Sequence, residues 1–100
     1  MRDEQIKEEY TELIRSNIIN YIQTTLDFTA MYIILKSNYD VVTKVFIKSH
    51  FESEYRKIAT KLKKFEQVAN CDTSGLSQLL KDMKDDRIKT TINTLKEVIV

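Results

Sequence analysis

The chain has 100 residues, sixteen basic and fifteen acidic side chains, a net charge of +1 and 42% apolar residues, enough for one domain whose core needs no metal or disulfide staple. The near balance of charge removes any global field toward nucleic acid or an anionic membrane, and the single cysteine, Cys71, excludes an internal disulfide and fits a reducing compartment. With no proline and one glycine, Gly75, little punctuates strands and turns, so the composition points to an all-α fold, a small antiparallel bundle of three to four helices in one domain spanning residues 1–100.

Abundant Phe, Tyr, Met, Ile, Asn and Lys suggest an AT-rich coding genome, as in low-GC bacteria, phages and some viruses. Met1 leads into the charged run Arg2-Asp3-Glu4 and not into an apolar segment, so no secretory signal is expected. The least charged window, residues 16–35, still carries Ser16, Asn17, Asn20, Gln23, Thr24, Thr25, Asp27 and Thr29, too polar a load for a membrane span. A soluble protein of the cytoplasm, or of a host cell interior for a phage or virus, is the expectation.

The first dozen residues are acidic, with Asp3, Glu4, Glu8, Glu9 and Glu12 against Arg2 and Lys7, net −3. Carboxylates in a first turn complement the helix dipole, which explains them more simply than an acidic docking surface does. A long helix follows over about residues 3–36, with Gln23-Thr24-Thr25 as the place for a break. The helical period puts Tyr10, Leu13, Ile14, Ile18 and Tyr21 on one face and Ile19, Ile22 and Leu26 on another. Further along, Phe28, Met31, Tyr32 and Leu35 share a face beside Ala30, Ile33 and Ile34. A helix apolar on two sides needs cover on two sides.

Ser37-Asn38-Tyr39-Asp40 has the form of a capping box, so the spacing predicts a second helix from about Tyr39 to Ala69. Val41, Val42, Val45, Phe46 and Ile47 open it, and Phe51, Tyr55, Ile58, Leu62, Phe65 and Ala69 continue at near-heptad steps that want a partner helix. The rival reading is a β-hairpin pairing residues 30–35 with 41–47, both rich in β-branched and aromatic side chains. The missing glycine and the helical period of the valines favour helix. Residues 70–75, Asn-Cys-Asp-Thr-Ser-Gly, read as a loop. Beyond it, Leu76, Leu79, Leu80 and Met83 form one stripe and Ile88, Ile92, Leu95 and Ile99 another. The five-residue step between them suggests a split near Asp85 or Asp86.

No catalytic, metal or phosphate motif stands out, and no cofactor is expected. His50 falls with Glu54 and Lys57 on the polar face, away from any ligand set. Cys71 lacks electropositive neighbours that would activate it. Asp82, Asp85 and Asp86 interleave with Lys81, Lys84, Arg87 and Lys89 as a salt-paired surface. The basic cluster Arg56, Lys57, Lys61, Lys63 and Lys64 lies where residues 36–64 carry net +5, and it could meet phosphate or an acidic partner. The C-terminal third also invites a helix-turn-helix reading, Leu76–Met83 followed by Ile88–Leu95, although Asp85 and Asp86 would face the DNA.

No motif places the chain in a family. The leading expectation is a non-enzymatic adaptor, regulator or host-directed inhibitor, acting as a homodimer or on an unknown protein partner through Ile19, Ile22, Leu26, Phe28, Met31, Tyr32 and Leu35. The alternative is a nucleic-acid-binding regulator using the basic stripe.

Overall fold

In a computed structural model that describes residues 2–69 and 73–99, the chain forms three helices: α1 (Arg2–Lys36), α2 (Lys44–Ala69) and α3 (Ser74–Thr94). There is no strand among the described residues, so the hairpin alternative falls: residues 30–35 are helix throughout. The 35 residues of α1 run unbroken past Thr24 and Thr25. The buried Thr29 contributes to this, because its hydroxyl donates to the Thr25 carbonyl at 2.8 Å and leaves no polar atom stranded on the core side.

The end of α1 at Lys36 is as expected, and the turn corrects one boundary, the start of α2. Ser37 to Asp40 close α1 and do not open α2: the Ser37 hydroxyl donates to the Ile34 carbonyl, and the Asp40 carboxylate accepts from Lys36 Nζ at 3.1 Å and from the Val41 N–H at 2.8 Å. Those donors, Lys36 first, hold the Asp40 carboxyl below the ordinary range. The chain then stays irregular over residues 41–43 while Val42 drops into the core. Thr43 is the cap of α2, its Oγ1 accepting the Phe46 N–H at 3.0 Å. Val41 and Val45, assigned from the sequence to the apolar side of this helix, are exposed.

The C-terminal third is one helix and not two. The stripe that seemed to slip after Met83 continues through polar residues: Leu76, Leu80, Lys84, Thr91 and Leu95 are all buried. Lys84 lays its alkyl stem on the core and passes its ammonium over the Tyr55 ring, 4.9 Å from the centroid, to Glu52 at 2.5 Å and Asp85 at 2.8 Å. The expected salt-paired surface therefore has one member inside. Ser74 and Gly75, read as loop, begin α3; Asn70, Cys71 and Asp72 lie outside the described residues.

Side-chain contacts fix the register of the bundle. Tyr21 meets Lys61 and Tyr32 meets His50, so α1 and α2 are antiparallel. Asp27 pairs with Arg87, and Arg15 Nη2 lies 3.4 Å from where a Cβ on Gly75 would sit, so α1 and α3 are parallel. The core between them holds Ile22, Leu26 and Ile33 of α1, Ile47, Phe51, Ile58 and Leu62 of α2, and Leu80 and Leu95. In this register Ala69 and Ser74 come level with Leu13 and Ile14, so residues 2–12 of α1 continue beyond both neighbours. The molecule is accordingly a rod, 58 × 19 × 19 Å, with a radius of gyration of 16.7 Å, where a compact chain of this length would have about 13 Å.

Two substitutions test this account. Thr43→Ala is expected to cost about 1 kcal/mol of stability in denaturant unfolding. Lys84→Met keeps the stem and strands no buried charge, since Glu52 and Asp85 both reach solvent; it is expected to stay within about 1.5 kcal/mol of the parent. Burial opposes the Lys84 charge, but hydrogen bonds from it to Asp85 and Glu52 outweigh that and raise its pKa above the ordinary 10.5. A raised pKa means the contribution is intact below about pH 10.5 and is lost as the pH climbs further. In paired alkaline titrations of stability, the parent should show this extra loss and Lys84→Met should lack it.

Candidate association surface on the first helix

The two apolar faces of α1 have different fates. Ile22, Leu26 and Ile33 are completely buried in the single chain, with Ala30 and Ile34 packed beside them. The other face looks outward: Tyr10, Leu13, Tyr21, Phe28, Met31, Tyr32 and Leu35 are exposed, Phe28 at 64%. The seven residues expected from the sequence at a partner interface therefore divide. Ile22 and Leu26 are occupied in the core and offer a partner nothing; Ile19 is half-buried; Phe28, Met31, Tyr32 and Leu35 remain open along one side. The sequence reading merged the two faces because both carry large apolar side chains.

Within the outer face, Tyr21, Thr24, Phe28, Met31 and Leu35 follow steps of three, four, three and four, a coiled-coil seam. Ile14 and Asn17 extend it toward the N-terminus, and they also line a groove of about 370 Å³ between α1 and α2. Tyr21, Ile58, Leu62 and Phe65 complete the apolar walls, with Lys61 at the rim. Sequence reasoning missed this groove, since it exists only once Tyr21 and Lys61 stand level on neighbouring helices.

His50 does not sit in solvent as expected. It is half-buried between two rings, stacked on Tyr32 at 5.2 Å and on Phe46 at 5.7 Å between centroids, and Lys36 lies over the far ring, 5.8 Å from the Phe46 centroid. This stack carries aromatic surface from α1 onto α2 at the turn end of the rod.

The basic residues of α2 are all exposed, but they do not form a free stripe. Lys57 pairs with Glu54 at 3.3 Å, and Arg56 Nε donates to the Glu52 carbonyl. Lys61 donates to the Tyr21 hydroxyl at 2.9 Å, and that bond raises its pKa above the ordinary lysine value. Lys63 and Lys64 project into solvent. The helix-turn-helix reading loses its turn, because Lys84 and Asp85 lie inside unbroken α3.

Among the described residues no three His, Cys, Asp or Glu side chains gather closely enough to hold a metal ion, and no helix is long and apolar enough to cross a membrane. Cys71 lies outside the described residues. No family model, curated protein or solved structure matches the chain.

The division of α1 predicts opposite responses to truncation. Ile33→Ala is expected to cost about 2–5 kcal/mol through a core cavity. Phe28→Ser should leave the unfolding free energy of a dilute sample within about 0.5 kcal/mol of the parent, as for other surface changes.

Proposed function

We propose that this is a small non-enzymatic helical protein that acts through protein contacts, as an adaptor, regulator or host-directed inhibitor, and that the outer face of α1 is its contact surface. One observation carries the reading: seven large apolar and aromatic side chains share one face of α1 and are left open after the core has been filled. A monomer gains nothing from displaying such a row, whereas an association surface needs it. A second copy of the same chain is the first occupant to consider, because a heptad seam matches another helix of its own kind.

A nucleic-acid-binding role for Arg56, Lys57, Lys61, Lys63 and Lys64 has less behind it. Lys57 and Lys61 already have partners, and the C-terminal third supplies no turn to present a reading helix.

Sedimentation equilibrium across the micromolar range is the test. The parent is expected to sediment as a dimer of the 11.8 kDa chain, and Phe28→Glu with Met31→Glu as a folded monomer. A parent that stays monomeric up to about 100 μM, a loose limit for a specific interface of standard size, would count against self-association.

A further inference from the structure

Building on that reading, we infer that a second copy occupies the outer face of α1 in an antiparallel orientation, with Phe28 of each chain seated in the α1–α2 groove of the other. Three observations converge on it.

The first is size. Seven exposed side chains at 43–64% exposure leave on the order of 700 Å² of surface, close to the roughly 800 Å² each partner buries in a standard dimer.

The second is the spacing of knob and hole. On α1 the groove is lined by Ile14, Asn17, Ile18 and Tyr21, of which Asn17 is on the seam midway along, and Phe28 is the most exposed apolar side chain on the seam beyond it. A two-fold axis midway between them, at Ile22–Gln23, brings Phe28 of either copy level with Asn17 of the other. The same operation sets Tyr10 against Leu35 and Thr24 against Tyr21, so the whole seam is covered once and self-complementarily. A parallel pair would instead oppose Phe28 to Phe28 and leave both grooves empty.

The third is charge along the rod. The first dozen residues carry net −3, and α1 extends there beyond the ends of α2 and α3. The opposite end of the same helix carries no acidic run: its one charged residue, Lys36, is paired with Asp40. Antiparallel pairing keeps the two acidic ends apart, at opposite ends of the dimer; parallel pairing lays acid on acid.

The test is disulfide trapping in a Cys71→Ser background, with sedimentation of the same proteins. Thr24→Cys, close to the axis, should oxidise to a linked dimer. Leu35→Cys should not link to itself but should link to Tyr10→Cys when the two are mixed. Phe28→Ala should weaken the dimer about ten-fold or more, as a seated aromatic anchor does, and Val45→Ala, exposed on the far side of α2, should not. If Leu35→Cys links readily to itself, the orientation is wrong while association through α1 stands. If Phe28→Ala and Val45→Ala weaken the dimer equally, the groove is not the seat. A parent that is monomeric at every concentration would overturn both this arrangement and the self-association on which it rests.

Discussion

The structure turns on a mismatch between one helix and its surroundings. Helix α1 carries apolar side chains on two faces, but the two other helices among the described residues, α2 and α3, both pack against the same side. Ile22, Leu26 and Ile33 take that side and are completely enclosed. Phe28, Met31 and Leu35 are left facing outward, each forgoing part of the roughly 1.5–3 kcal/mol that full burial of such a side chain provides. Since a whole domain is stable by only about 5–15 kcal/mol, a row of this kind is a large unused resource.

The remaining features follow from how three helices of unequal length share one core. The first eleven residues of α1 reach beyond the ends of α2 and α3, and that extension is where the acidic residues collect. Polar side chains are used where the bundle seam would otherwise break. Thr29 satisfies its hydroxyl on its own backbone, and Lys84 packs its stem inside while its ammonium reaches carboxylates at the edge. Lys61 plays a related part between α1 and α2, donating to the Tyr21 hydroxyl at the rim of the groove. Basic residues that look like a stripe in the sequence are thus partly structural.

How much of this could be read beforehand depends on which physical signal each element uses. The all-helical fold was legible from the absence of proline, the single glycine and the 3.6-residue period of α1. The second apolar face was legible too, but not which face would be filled, because Ile22 and Phe28 are equally apolar and only the packing of α2 and α3 distinguishes them. The start of α2 was misplaced because Ser37–Asp40 resembles a capping box, while the true cap, Thr43, depends on Val42 first reaching the core. The single α3 was obscured by Lys84, which counts as polar in a periodicity and behaves as apolar along most of its length. The His50 stack and the groove join residues far apart in sequence, so no local pattern could announce them.

The central claim is that one face of α1 belongs to the fold and the other to a partner. Hydroxyl-radical footprinting at rising protein concentration reads both faces in one experiment. Phe28, Met31, Tyr32 and Leu35 should react freely in dilute solution and become protected as concentration rises, while Ile22, Leu26 and Ile33 stay unreactive throughout. Equal labelling of the two sets, or an outer set whose labelling never changes with concentration, would contradict the account.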